Sequence, residues 1–306
     1  MISFRYHLVT IVAVFLALAL GVLAGTTVIK SGLVKTLKDN GQRAEQQLAN
    51  AQDQVSDLRE VRDQFYEWAT PDRLLGRTVV VVTDDRSDPA GARNAISVLK
   101  ASGADVISMT VTSLLVRRGE ADTLAEILGM SPDTPQATLI AAASIRLADR
   151  LANGPEPSPS PAPTAPESTD ILVELIQNGF VTSPDVNPGD ASNVGGADQL
   201  MVVSAGGESE PGVPLATFMR PLVVQLVEEG STTAAVETAG TEEHQFVSLV
   251  RADQDLSRDH LITVDDVELT EGQLALLLGM YRMATGAHGG DYGQKQGADE
   301  LIPSPP

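Results

Sequence analysis

Cysteine is absent from the 306-residue chain. Disulfides, thiolate metal centres and thiol nucleophiles are thereby excluded on either side of a membrane. Aromatic residues are scarce at 4%, with a single tryptophan, and positive charge is in deficit: 21 Lys plus Arg face 41 Asp plus Glu, a net charge of -20. A nucleic acid backbone needs a basic footprint to release counterions, and only a short stretch from Lys30 to Lys38 is basic. That stretch reads as an interfacial flank, so nucleic acid is not an expected partner. No GxGxxG follows the first strand-like run, and there is no P-loop lysine, GxSxG elbow or HExxH pair. The signatures of nucleotide binding, serine hydrolysis and zinc proteolysis are therefore missing. Neither an enzyme nor a cofactor is expected.

What the chain does have is an uncharged run of 22 residues, Leu8 to Ile29, and every acidic residue lies beyond it. As a helix it spans about 33 Å, against a hydrocarbon core of roughly 30 Å. Two readings fit: an uncleaved anchor, or a secretory signal peptide cleaved after the small-residue spacing of Val22-Leu23-Ala24. Length favours the anchor, because a signal h-region usually has about 7 to 15 residues. Arg5 precedes the run while Lys30, Lys35, Lys38 and Arg43 follow it. That balance alone would hold the remaining chain in the cytoplasm, although long domains translocate largely regardless of such charge.

Behind the run, apolar residues fall on a heptad register. Val34, Gly41, Leu48, Val55 and Arg62 form one seam, and Leu37, Ala44, Ala51, Leu58 and Phe65 the other. Gln, Asp, Glu, Arg and Asn fill the positions between, and no proline intervenes before Pro71. This predicts a coiled-coil helix over residues 31–70. Its partner is expected to be a second copy of the chain or the helix of another protein; a single amphipathic helix lying on the domain is the alternative.

After Gly76 short strands alternate with helical patterns. Thr78 to Thr83, TVVVVT, is a continuous β-branched run of the kind buried in a parallel sheet. Further strands are expected at Val106 to Val111, Gln199 to Ala205, Thr233 to Glu237 and His260 to Val264, with helices among the intervals at Ala90 to Ala101 and Leu215 to Glu229. Such alternation predicts an α/β fold: an open, doubly wound, mostly parallel sheet. The expected organisation is an anchor over 1–30, the coiled-coil helix over 31–70, one α/β domain over 71–286 and a tail over 287–306 that is poorly packed apart from Tyr292 and Leu301. A Pro, Ser, Thr and Ala segment at 154–169 reads as an inserted loop.

Ligands of open α/β sheets bind beyond the carboxyl ends of the strands. There the first strand is followed by Asp84, Asp85 and Asp88 and the last by Asp265 and Asp266, a candidate cation or ligand site. Helix capping and loop solubility explain these aspartates more simply than a metal site does. The four histidines form no close pair, and the seven methionines do not cluster outside helical patterns, with Met280 and Met283 read as core residues, a poor donor set for copper(I).

The opening Ser3-Phe4-Arg5-Tyr6-His7 leading into the apolar run, the coiled-coil segment, GRTVVVVT and the DYGQKQGADELIP ending together resemble the bacterial copper transport outer membrane protein family, MctB-like. The resemblance covers almost the whole chain. It implies a part in copper export or homeostasis at the cell envelope, with residues 31–306 outside the cytoplasmic membrane. Related proteins carry the name SteB and act with a partner membrane protein in cell-wall cleavage during cell separation. A single span does not make an outer-membrane barrel.

Overall fold

The computed structural model describes residues 4–85, 89–155, 170–187, 189, 191–206, 212–238 and 246–304. The chain divides into two compact units, Met1–Asp63 and Gln64–Pro306. The first unit consists of helix, part of α1 (Phe4–Ala69). Within it Tyr6–Gly25 forms a 20-residue apolar span with none of its side chains covered by protein. No proline occurs before Pro71, so every backbone N–H of the helix is available to its hydrogen-bond ladder. Leu48 and Leu58 stay 60% and 69% exposed in the single chain.

The second unit is built on a sheet of seven strands among the described residues, in the order β3-β2-β1-β4-β5-β6-β7. In chain order these are β1 (Thr78–Asp84), β2 (Asp105–Val111), β3 (Val181–Thr182), β4 (Leu200–Ser204), β5 (Thr233–Val236), β6 (Leu261–Val264) and β7 (Gly290–Tyr292). Every pair is parallel except β2 with β3. The two-residue side-chain period of a strand divides TVVVVT between two cores. Val80 and Val82 enter one, with α3 (Ala121–Ile127), α4 (Gln136–Asn153), α5 (Ile171–Gln177), α6 (Arg220–Glu228) and α7 (Phe246–Arg251). Val79 and Val81 enter the other, with α2 (Pro89–Ala101) and α8 (Thr270–Ala284). The expected doubly wound α/β class is the one observed.

Handedness sets the last crossover apart. From β1 the chain passes over the α2 face to β2, and from β4 to β5 to β6 it travels the opposite way over the other face. Reversing both direction and face preserves the hand. From β6 to β7 the direction of travel is unchanged, but α8 lies on the α2 face. This connection therefore has the opposite hand to the others, in a class of folds where about 98% share one hand.

Local structure adds to the sequence expectation at several points. The helix expected over Leu215 to Glu229 begins as a π-helical turn, Leu215–Met219, before α6. Pro221 has no N–H to offer the carbonyl of Thr217, so the α ladder cannot close there. The Phe218 carbonyl in that turn instead accepts from the buried Ser144 hydroxyl at 2.6 Å. In the tail over 287–306, β7 joins the sheet and buries Asp291 along with Tyr292, whereas Leu301 stays 45% exposed. Glycines around a three-residue strand conceal it in the sequence. The inserted segment lies outside the described residues from 156 to 169, but its flanks are joined, since buried Arg150 donates to Asp170 at 2.6 and 2.9 Å. At the start of the unit, the Tyr66 hydroxyl donates to Gln273 Oε1 at 3.0 Å and Ala69 is buried.

Candidate functional site

Parallel strands carry their carboxyl ends to one edge, and here they bring buried charge with them. Glu237 follows β5, and Asp265 and Asp266 follow β6; all three are buried. A charge withdrawn from water needs a partner of opposite sign or several hydrogen bonds. Asp265 has both: it accepts from Arg251 Nη1 at 2.7 Å and from the backbone N–H groups of Gln294 at 2.9 Å and Lys295 at 3.1 Å. Glu237 accepts from Lys295 Nζ at 3.0 Å and from the Val247 N–H at 3.0 Å, and Lys295 Nζ also donates to the Thr238 carbonyl at 2.9 Å. Burial pushes the Glu237 carboxyl above its ordinary value, against the opposing pull of the Val247 N–H and Lys295.

The same network fastens β7. Arg251 Nη2 donates to the Tyr292 carbonyl at 2.8 Å and its Nε to Thr263 Oγ1 at 2.8 Å. Thr263 Oγ1 donates in turn to Asp291 Oδ1 at 2.8 Å, and Arg258 Nε reaches Asp291 Oδ2 at 3.2 Å. Gly293 has a φ of +132°, and a Cβ there would lie 2.7 Å from Asp265 Oδ2. Only glycine combines that backbone with so close a carboxylate. The DYGQK segment thus supplies the ions and backbone donors that hold a crossover of disfavoured hand.

Asp266 differs from its neighbour. Its side chain is fully buried, and neither oxygen has a hydrogen-bond partner among the described residues. It packs against Gly272 in the first turn of α8, where an added Cβ would come within 2.5 Å of Asp266 Oδ1. Burial, followed by the Asp265, Glu268 and Glu271 carboxylates, pushes its pKa up to about 7, with Arg251 opposing. Near neutral pH this group takes up or releases a proton inside the fold.

The five aspartates singled out in the sequence do not converge. β4 and β5 lie between β1 and β6, so Asp84 and Asp85 stand roughly 14 Å from Asp265 and Asp266, three strand spacings away. Asp85 Oδ2 accepts from the Ser113 N–H at 2.8 Å and so secures the turn after β2. Asp88 lies outside the described residues. Among the described residues no group of three or more His, Asp or Glu is placed to hold a metal ion. Met109, Met201, Met219 and Met280 are buried in the two cores. His288 Nδ1 lies 2.8 Å from Asp259 Oδ1, an exposed pair that holds the Asp259 carboxyl below its ordinary value, helped by Ser257. Of the heptad positions, Leu37, Ala44, Leu48, Ala51, Val55, Leu58 and Phe65 are exposed, and the Val34 side chain lies outside the described set. Sequence reading missed Glu237, Arg251, Arg258, Asp291 and Lys295. The dense DYGQK cluster within an otherwise glycine-rich stretch could have pointed to Asp291 and Lys295, whereas nothing local marks Glu237, Arg251 or Arg258.

Residues 1–303 match the family described as Copper transport outer membrane protein, MctB. Copper transporter MctB of Mycobacterium tuberculosis (strain ATCC 25618 / H37Rv) is 29% identical over 322 residues, covering 97% of this chain and 98% of that protein. Copper transporter MctB of Mycobacterium leprae (strain TN) is 28% identical over 325 residues, covering 98% and 99%. A match along nearly the full length, from the apolar helix through the sheet to the DYGQK network, means that the chain belongs to the MctB family of copper transport proteins.

Proposed function

We propose that this chain is a non-enzymatic, single-span protein of the cell envelope that serves copper export or homeostasis, with its large C-terminal part outside the cytoplasmic membrane. The observation that carries this reading is the bare apolar span Tyr6–Gly25, together with relatives named as copper transporters. The buried charges at the sheet edge engage one another and fasten β7, which supports a structural task for them. Copper enters as cargo in this account. One span cannot enclose a pore, so transport requires assembly with other chains.

A second reading is favoured by the exposed apolar residues Leu48 and Leu58: a scaffold whose helix recruits or regulates a peptidoglycan hydrolase during cell separation. A deletion strain separates the two. Copper hypersensitivity with normal septation supports homeostasis, and chained cells with normal copper tolerance support the scaffold. Topology is tested on the same cysteine-free chain by labelling Asp299→Cys in intact cells with a membrane-impermeant maleimide. Labelling only after lysis would overturn the extracytoplasmic placement.

A further inference from the structure

The helix beyond the membrane span presents apolar residues that its own unit leaves uncovered, and three features say what covers them. The first is direction. Copies of a chain anchored by the same N-terminal span emerge from one membrane face pointing the same way, so a second copy meets this helix parallel to it. The second is side-chain shape. At its two ends the seam pairs valine at the first position with leucine at the second, Val34 with Leu37 and Val55 with Leu58, a combination that favours two parallel strands, while Gly41, Leu48, Ala44 and Ala51 fill the middle. The third is charge. In a parallel, in-register pair the flanking residues meet as Asn40 with Glu45, Gln47 with Gln52 and Gln54 with Arg59. None of these pairs places like charges together, and all six residues are exposed.

We propose that the segment Val34 to Leu58 forms a parallel, in-register, two-stranded coiled coil with a second copy of this chain. Gly41, Ala44 and Ala51 supply little apolar area, so the pairing is weak in free solution. Confinement to one bilayer raises the effective concentration of the partner and compensates. The seam ends where Arg62 engages Asp63 at 2.9 Å and cannot present an apolar surface. This inference rests on the anchored-helix reading above.

The absence of native cysteine allows a direct test on the full chain in its own membrane. Single substitutions Leu48→Cys, Ala51→Cys and Leu58→Cys sit on the seam, whereas Gln46→Cys and Asp53→Cys sit on the opposite face. All five sites are exposed, so folding of the second unit is undisturbed. Mild oxidation should convert the seam variants to disulfide-linked dimers several-fold more than the outer variants. Equal crosslinking at both sets, none at either, or adducts only with a different protein would overturn the dimer. Alkaline carbonate extraction of the same samples tests the anchor separately. Chain retained in the membrane without seam crosslinks refutes only the coiled coil, whereas release of the chain refutes the anchor on which both readings rest.

Discussion

Replacing Asp266 with asparagine removes a titration that burial makes expensive. In the unfolded chain this carboxyl has its ordinary value of 3.8, and in the fold it is raised to about 7. Each pH unit between the two values is worth about 1.4 kcal/mol, so the ionised side chain costs the folded state about 4 kcal/mol. Below pH 3.8 both states hold the proton and nothing is lost. As pH climbs toward 7 the unfolded chain releases its proton first, stability falls, and above the folded value the penalty is complete. An asparagine side chain at this position has the same shape and no charge to bury. Urea unfolding of the full chain in detergent micelles, followed by fluorescence of the sole tryptophan, Trp68, should show wild type losing stability between about pH 4 and pH 8 relative to Asp266→Asn, by up to about 4 kcal/mol. Titration of Glu237, also raised, is common to both proteins and cancels in the difference. Parallel stability curves for the two proteins would refute the reasoning, because Asp266 would then be ionised and solvated within the fold.

Other expectations concern the clasp around β7 and the helix. Arg251→Ala leaves buried Asp265 without its guanidinium and should cost about 3 to 5 kcal/mol in denaturant melts. Gly293→Ala forces a Cβ against the Asp265 carboxylate at a positive φ and should cost about 1 to 3 kcal/mol, seen as a lower melting temperature. Lys295→Met removes the counter-ion of Glu237, so limited proteolysis should cut sooner around 290–300 than in wild type. Leu48→Asp combined with Leu58→Asp should abolish chemical crosslinking between chains while leaving the Trp68 unfolding transition unchanged.

Much of the fold can be read from the sequence because its strands obey the two-residue period. TVVVVT can only be a strand covered on both faces, and the alternation with Ala90 to Ala101 dictates a parallel sheet. What escapes is short or set by distant residues. β3 has two residues and β7 three, too few for a pattern, and the opposite hand of the β6 to β7 connection runs against the rule by which such a strand would be placed. Pro221 marks a boundary within an apparently uniform helix, legible only once the missing N–H is counted. At the site, the strand-end position of Asp265 and Asp266 is visible in the sequence, but their opposite fates are not. Arg251, Gln294 and Lys295 arrive from other segments and satisfy one carboxylate while leaving its neighbour alone.

Because translation proceeds from the amino end, the clasp arrives after the strands it closes. The apolar helix is committed to the bilayer long before Asp291 and Lys295 have been made, and until then Glu237, Asp265 and Arg258 lack part of their final company. A half-finished molecule therefore carries an open, charged sheet border while already tethered. Completion of the domain is registered by whether a few residues after β6 have snapped into place.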